Sequence, residues 1–188
     1  LVRVAASGFC HKQLEEMQGK RGPDPYLPHM LGHEGSGVVE EIGPGVTTVA
    51  PGDRVVLSWI KGSGIDSEPP TFHSGAKAIN AGWVTTFNEY CVASENRVTA
   101  IRKDMPLDRA ALLGCAVPTG AGAIMNQAGT GPRTSVAVFG AGGIGLCAVQ
   151  AAAHKRAKLV IAVDVHDHKL ALAGEFGATH TVNASKVD

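Results

Sequence analysis

The chain has few charged residues, few aromatic residues and no long hydrophobic run. Charged residues make up 18% of the 188 residues and aromatic residues 5%, while the hydrophobic fraction of 44% is typical of a folded protein. There are 17 basic residues (lysine and arginine) and 17 acidic residues (aspartate and glutamate), so the formal net charge is zero. A neutral chain without a basic cluster gives no electrostatic reason to expect binding to nucleic acid or to an anionic membrane.

No apolar run reaches the roughly 18 residues that a membrane-spanning helix needs. No signal peptide is recognisable, although Leu1 already belongs to a predicted strand, so we expect a preceding segment to be missing. The four cysteines are scattered, which argues against a disulfide framework and favours a reducing, cytoplasmic location. We interpret Cys91 and Cys147 as small apolar core residues.

Up to about Thr119 the sequence is rich in valine, glycine and proline, with short apolar runs separated by turns. The turns are Gly43-Pro44-Gly45 and Pro51-Gly52-Asp53, where proline presets φ and glycine allows a positive φ. This pattern predicts a β-rich domain. Its candidate strands are Ser36–Ile42, Arg54–Trp59 and Glu89–Val92.

After an alanine-rich predicted helix, Thr119–Gln127, the pattern changes to alternating strands and helices. The predicted strands are Ser135–Phe139, Leu159–Val163 and His180–Asn183, and the predicted helices are Gly142–Ala153 and His166–Phe176. This alternation predicts a parallel sheet with crossover helices. A doubly wound nucleotide-binding sheet needs two such halves, and we expect only the first to be present, with the outer side of its first strand exposed.

A glycine-rich turn joins the first of these strands to its helix. Gly140, Gly142 and Gly145 have the spacing of a dinucleotide-binding turn, with Gly143 and Ile144 between them, and Asp164 follows at about the 20-residue distance expected for a ribose-binding acid. Gly140 is expected to form the tight turn, Gly142 to admit the pyrophosphate, and Gly145 to let helix and strand pack closely. The helix N-terminus attracts phosphate, and a carboxylate would repel a 2′-phosphate, so NAD is favoured over NADP.

The spacing of cysteine and histidine alone does not indicate a metal site. A signature of zinc-containing alcohol dehydrogenases is nevertheless resembled by one segment, Gly32-His33-Glu34-Gly35-Ser36-Gly37, and its continuation to Val46. The resemblance extends from Val4 to Asn183. It includes Gly8-Phe9-Cys10-His11, Pro51-Gly52-Asp53-Arg54-Val55, Cys115 with Pro118-Thr119-Gly120, and the glycine turn.

The resemblance to medium-chain dehydrogenases implies one catalytic zinc held by Cys10, His33 and Cys115. Two thiolates and one imidazole with an open fourth position form a catalytic ligand set, in which zinc stabilises an alkoxide. The family places an acid near the metal, here Glu34. The residues it places at the cofactor are His11 at the pyrophosphate, Thr119 and Ile144 at the nicotinamide, and Lys169 beside Asp164.

The sequence departs from the family in two places. Ser58–Tyr90 contains none of the four closely spaced cysteines that bind a structural zinc in many relatives, and its composition predicts a loop without a second zinc. Lys12 replaces the hydroxyl residue of the usual proton relay, Gln13 replaces an aspartate that supports the zinc histidine, and Glu15 replaces a relay histidine. Lys12 is either a solvated surface charge or a proton acceptor with a lowered pKa.

The resemblance therefore implies an α/β protein, with a GroES-like catalytic domain at 1–118 followed by the first half of a Rossmann domain at 119–188. We expect a zinc- and NAD-dependent oxidoreductase that acts on a small alcohol or carbonyl compound and whose parent forms a homo-dimer or homo-tetramer. Two alternatives are a metal-free relative of the quinone-reductase type and a nucleotide-binding fragment without turnover. His166 and His168 are interpreted as solvated residues at a helix start.

Overall fold

The computed structural model describes residues 1–187. The chain divides into two compact units, Leu1–Cys115 and Ala116–Asp188, with the division just before the predicted domain boundary. The first unit consists mainly of strands, and the second alternates strands with helices, so the α/β prediction is confirmed.

A five-stranded sheet forms the centre of the first unit. The strands of this unit are β1 (Val2–Ser7), β2 (Glu34–Val39), β3 (Arg54–Ser58), β4 (Thr71–Ser74), β5 (Lys77–Asn80), β6 (Tyr90–Cys91) and β7 (Val98–Ala100). The sheet has the order β6-β1-β2-β3-β7, and every neighbouring pair is antiparallel. β3 lies between β2 and the edge strand β7, and its β-branched and aliphatic residues Val55, Val56 and Leu57 are buried.

The strands β4 and β5 form a separate hairpin, in which Thr71 pairs with Asn80 and Ser74 with Lys77. This finding corrects the prediction that Ser58–Tyr90 is only a loop. The hairpin gave a weak sequence signal because its strands are polar and largely exposed, with Phe72 and Ile79 as their only large apolar residues.

Two helices complete the first unit: α1 (His11–Met17) and α2 (Leu107–Ala110). Two single turns of 3₁₀ helix, Glu95–Arg97 and Ala111–Gly114, lie near β7 and after α2 in the chain. The core consists of side chains from the sheet and from the segment that precedes β6. These residues are Val2, Val39, Val55, Leu57, Val84 and Cys91.

In the second unit, three parallel strands lie in the order β10-β9-β8. Its elements are α3 (Ala116–Gly122), which continues as a π turn (Ala123–Gln127), then β8 (Ser135–Phe139), α4 (Gly143–His154), β9 (Leu159–Asp164), α5 (Asp167–Glu175) and β10 (His180–Asn183). The predicted elements are thus present, but the first helix begins at Ala116 rather than Thr119. β8 forms one edge of the sheet, as expected, and the Phe139 side chain at its end is 81% exposed.

Small residues allow the helices of the second unit to pack closely. A Cβ on Gly120 in α3 would lie 2.2 Å from the Ile144 carbonyl oxygen in α4, so only glycine fits there. The core around this contact is alanine-rich, with Ala148, Ala151 and Ala152 from α4 against Val160 and Ala162 of β9. Within residues 1–187, no helix combines the length and apolar character needed to cross a membrane.

Candidate functional site

Three metal-binding side chains meet in the first unit. The Sγ atoms of Cys10 and Cys115 and a ring nitrogen of His33 all lie within 4.8 Å of one another. Cys115 is buried, whereas Cys10 and His33 are partly exposed. In the part of the chain that the structure describes, this is the one group of three or more such side chains close enough to share an ion.

The pairing of β1 with β2 brings Cys10 towards His33. Ser7 lies opposite Gly35 in the sheet, and the Gly8 N–H donates to the Glu34 carbonyl oxygen at 3.1 Å. The chain therefore leaves β1 beside the residue that follows His33. The ring of Phe9 stacks on that of Phe87, with 5.8 Å between centroids, and Cys10 comes next as the N-cap of α1.

Cys115 reaches the same place because the 3₁₀ turn before it packs against β2 and β3. A Cβ on Gly114 would lie 2.4 Å from the Leu57 carbonyl oxygen and 2.8 Å from Cα of Glu34. The Ser58 hydroxyl donates to the Gly114 carbonyl oxygen at 2.7 Å. Glycine at this position thus permits the approach that sets the following cysteine beside the start of β2.

The donor set and its surroundings fit a zinc ion. With Zn–S near 2.3 Å, a tetrahedral site has sulfur–sulfur edges of about 3.7 Å, so the three donors need only a small contraction. Burial lowers the pKa of His33, and the positive charge of Lys12 lowers it further, although Glu16 opposes this change. A lowered pKa favours the neutral imidazole, which is the form that binds metal.

Two acidic residues, Glu34 and Glu15, lie close in sequence to members of the cluster. Glu34 is only 3% exposed, and its carboxyl group occupies the space that a Cβ on Gly8 would need, at 2.6 Å. The Glu15 carboxylate pairs with other side chains, at 3.1 Å from Nε of Arg21 and 3.9 Å from Nε2 of His11. His11 itself is exposed.

Lys12 forms an ion pair with Glu16 one helical turn later, and its side chain remains 45% exposed. Both residues, together with His33, line a cavity of about 550 Å³. Lys12 is therefore a partly exposed side chain in the lining of the cavity that also contains His33, and both interpretations of it, as a solvated charge and as a proton acceptor, stay predictions.

The same cavity contains an ion pair that the sequence did not reveal. Nε2 of His29 lies 2.8 Å from the Asp24 carboxylate, and Nδ1 lies 2.7 Å from the Met30 carbonyl oxygen. Because both ring nitrogens face acceptors, the ring satisfies them only when it carries two protons. The hydrogen bond to the Met30 carbonyl oxygen accordingly raises the pKa of His29 most strongly, and the hydrogen bond to Asp24 raises it as well. Burial of the ring opposes this change.

In the second unit, the glycine turn has the geometry that its sequence predicts. Gly140 has a φ of +93°, Gly142 is the N-cap of α4, and a Cβ on Gly145 would lie 1.8 Å from the Gly140 carbonyl oxygen. A Cβ on Gly142 or Gly143 would meet no atom within 4 Å. The space in front of the helix N-terminus is thus open for a phosphate group.

Asp164 ends β9 beside this turn. Its carboxylate accepts the Ala141 N–H at 2.8 Å and the His166 N–H at 3.0 Å. The pKa of Asp164 is lowered, and the hydrogen bond from Ala141 is the largest cause. The positive charge of Lys169 lowers this pKa further. The acid is therefore held as a carboxylate next to the predicted pyrophosphate turn.

The remaining predicted cofactor contacts are accessible. Thr119 is exposed in α3, and Ile144 is 45% exposed on the first turn of α4. His166 and His168 are exposed at the start of α5, as expected, with ring centroids 5.6 Å apart.

A Cys-His-Cys cluster that could hold a metal ion in a β-rich unit, followed by a glycine turn in a parallel strand–helix unit, is typical of the class of zinc-binding dehydrogenases. Residues 1–103 match the family described as alcohol dehydrogenase GroES-like domain, and residues 143–188 match the family described as zinc-binding dehydrogenase. The chain belongs to the medium-chain, zinc-containing alcohol dehydrogenase family.

The chain is 35% identical to an S-(hydroxymethyl)glutathione dehydrogenase of Photobacterium damsela subsp. piscicida over 213 residues, covering 100% of this chain and 58% of the relative. It is 37% identical to a geraniol dehydrogenase of Castellaniella defragrans, covering 97% of this chain and 55% of the relative. The crystal structure of benzyl alcohol dehydrogenase from Acinetobacter calcoaceticus is similar with a TM-score of 0.86 and 36% identity, covering 100% of this chain and 57% of that one. The chain thus spans somewhat more than half the length of these relatives.

Proposed function

We propose that this chain belongs to an enzyme that transfers a hydride between a small alcohol and NAD, with one zinc ion bound by Cys10, His33 and Cys115. The observation that carries the proposal is the convergence of these three side chains within 4.8 Å, although they are widely separated in the sequence. The relatives named above are dehydrogenases of S-(hydroxymethyl)glutathione, geraniol and benzyl alcohol, and they support an alcohol as the substrate class.

Zinc at this site would supply a Lewis acid for the oxygen of an alcohol or carbonyl substrate, and NAD would accept or return the hydride. The residues of the chain bind and orient these groups. The cavity of about 550 Å³ that includes His33 offers space for the substrate beside the metal ligands. The open N-terminus of α4 would hold the pyrophosphate, and the Asp164 carboxylate would accept hydrogen bonds from the ribose.

A metal-free mechanism of the quinone-reductase type is the main alternative. A quinone oxidoreductase from Pseudomonas syringae pv. tomato is 26% identical to the chain, with a TM-score of 0.78. The three clustered donors favour the zinc-dependent reaction, because such a cluster has no use in a metal-free site. A homo-dimer or homo-tetramer and a cytoplasmic location stay predictions.

The first test is the amount of zinc bound per chain, measured by elemental analysis after removal of loosely bound metal. We expect about one zinc per chain in the wild type and its loss in Cys10→Ala, His33→Ala and Cys115→Ala. Cys147→Ala is the matched control, because Cys147 lies in the second unit and outside the cluster. A folded wild-type chain without zinc would overturn the proposal.

The second test concerns the cofactor. Binding of NAD and NADP would be measured by calorimetric titration for the wild type and for Asp164→Asn. We expect the wild type to prefer NAD, and the variant to lose much of that preference because it removes the charge that repels a 2′-phosphate. Equal affinity for both cofactors in the wild type would contradict the assigned role of Asp164.

A further inference from the structure

The cavity that includes His33 is lined by two chemically different groups of side chains, and all of them belong to the first unit. Its volume of about 550 Å³ is typical of a site for a small molecule. The apolar residues in the lining are Met30, Leu31, Pro69, Trp83 and Val84. The lining also contains side chains that carry a charge, namely Lys12, Glu16, Asp24, His29 and Glu68.

Each positive charge in this lining is already matched by a negative one. Lys12 pairs with Glu16, and Nε2 of His29 lies 2.8 Å from the Asp24 carboxylate. Both pairs are neutral when formed, and loss of the His29 proton would only add negative charge. The proposed zinc ion adds no net charge, because its two thiolate ligands balance it. Among the residues that the structure describes, the lining therefore offers no unpaired cation to a carboxylate or phosphate on a substrate.

Glu68 is the one charged residue of this lining without a partner. Its exposed carboxylate forms no hydrogen bond or ion pair with the residues that the structure describes. The backbone around it is nevertheless fixed, because the Ser67 N–H donates to Oγ of Ser94 at 3.1 Å and the Ala81 N–H donates to the Pro70 carbonyl oxygen at 3.0 Å. The cavity thus carries one uncompensated negative charge.

Trp83 is the largest apolar side chain in the lining, and it is 52% exposed. Arg97 holds it in place, because the guanidinium carbon lies 5.7 Å from the centroid of the Trp83 ring and Nη1 donates to the Trp59 carbonyl oxygen. Arg97 itself is not among the residues that line the cavity. The indole therefore offers a flat apolar surface on which the hydrocarbon part of an alcohol can pack.

We propose that this cavity selects uncharged alcohols with an apolar body and rejects anionic ones, and that Glu68 determines the selection by charge. The apolar body would pack on Trp83, whereas an anionic group would lose water and meet the Glu68 carboxylate without a cation to compensate it. Among the compounds named for the relatives, geraniol and benzyl alcohol have the favoured chemistry. S-(hydroxymethyl)glutathione, which carries more carboxylate than ammonium groups, has the rejected chemistry. This inference rests on the proposed function.

The test uses three probes that differ only in one substituent of the same aromatic ring. They are the neutral 4-methylbenzyl alcohol, the anionic 4-(hydroxymethyl)benzoate and the cationic 4-(aminomethyl)benzyl alcohol. Their dissociation constants for the zinc-loaded chain would be measured from the quenching of tryptophan fluorescence. The chain contains two tryptophans, so a Trp59→Phe background leaves Trp83, in the cavity lining, as its single reporter.

In this background, we expect the neutral probe to bind about 3–10-fold more tightly than the benzoate. Glu68→Lys should strengthen binding of the benzoate and weaken binding of the cationic probe, each by about 3–10-fold, with the neutral probe unchanged; this is the size expected for a unit charge a few ångströms away in a solvated site. Added salt should reduce both shifts. Glu175→Lys is the matched control, because Glu175 is an exposed carboxylate in the second unit, and it should change none of the three constants.

Binding of the benzoate as tight as that of the neutral probe, without a Glu68 substitution, would overturn the selection by charge. So would shifts of the anionic and cationic probes in the same direction in Glu68→Lys, because that pattern reports a change in the shape of the cavity and not in its charge. Neither result would affect the proposed function, since zinc binding by the wild type would remain. Absence of zinc from the wild type would overturn both.

Discussion

His29 and Asp24 form an ion pair in the wall of the cavity that also contains His33, with 2.8 Å between Nε2 and the carboxylate oxygen. The pair closes the segment 24–30 on itself. The N–H of Tyr26 also donates to Asp24, at 2.9 Å, and this bond is the largest cause of the lowered pKa of that acid. The two pKa shifts have opposite directions and therefore define a window of pH in which the pair is stable.

The pair should stabilise the fold most strongly between the ordinary pKa values of its members, 3.8 for aspartate and 6.5 for histidine. Because the pKa of His29 is raised, the stabilisation that its protonated ring provides is complete below pH 6.5. This stabilisation is lost as pH rises through the pKa of His29 in the folded state. The lowered pKa of Asp24 makes its contribution complete above 3.8 and loses it as pH falls. Urea unfolding at several pH values should show the largest difference between wild type and His29→Gln inside this window. A constant difference from pH 4 to pH 9 would contradict the assignment.

Glu95 should make the first unit sensitive to acid. Its carboxylate is only 5% exposed and accepts the backbone N–H groups of Thr47, Thr48 and Ile65 at 2.8–2.9 Å. These bonds lower the pKa of Glu95 to about 2 from 4.5. Its stabilising contribution is therefore complete above pH 4.5 and is lost as pH falls towards 2. In Glu95→Gln, the free energy of unfolding should be lower at pH 7 and should depend less on pH below 4.5. If the free energy of unfolding of Glu95→Gln depended on pH below 4.5 as it does in the wild type, carboxylates other than Glu95 would be responsible for the sensitivity to acid.

Gly114→Ala should weaken both the fold and the metal site. The new Cβ would lie 2.4 Å from the Leu57 carbonyl oxygen, so the 3₁₀ turn must move away from the sheet and carry Cys115 with it. We expect a destabilisation of about 1–3 kcal/mol, typical of overpacking, together with weaker zinc binding. Gly122→Ala is the control, because its Cβ would meet only Nδ2 of Asn126, at 3.9 Å. Wild-type zinc affinity in Gly114→Ala would show that the turn does not set the position of Cys115.

Gly145→Ala and Gly174→Ala should have opposite effects in the second unit. A Cβ on Gly145 would lie 1.8 Å from the Gly140 carbonyl oxygen, which forces α4 away from the turn and should reduce both stability and NAD binding. Gly174 lies in α5 with no atom within 4 Å of its Cβ position, so alanine should stabilise that helix by about 0.5–1 kcal/mol. Denaturant unfolding and NAD titration of both variants check the prediction. A stable, NAD-binding Gly145→Ala would refute the close helix–strand contact.

Local patterns in the sequence predicted strands and turns, because these depend on the types of neighbouring residues. The apolar runs that became β3 and β8, and the positive φ of Gly140, follow from side-chain branching and from the freedom of glycine. The ligands Cys10, His33 and Cys115 came from family resemblance, because their spacing alone carries no signal. The sequence placed Gln13 near the metal site only through the family resemblance, and its hydrogen bond to the Gly32 N–H could not be predicted, because that contact depends on the fold of the segment before His33 against α1. The pairing of His29 with Asp24 likewise depends on the three-dimensional path of the segment between them.

The distance in sequence between the ligands has a consequence for folding equilibria. Cys10 lies near the start of the first unit and Cys115 is its last residue, so the ligands are assembled only when the sheet between them has formed. A zinc ion that binds this folded arrangement and not the unfolded chain stabilises it by mass action, by about 2.7 kcal/mol when free zinc is a hundred times its dissociation constant. The second unit has no comparable group among its described residues. Zinc supply would therefore regulate the folded population of the first unit.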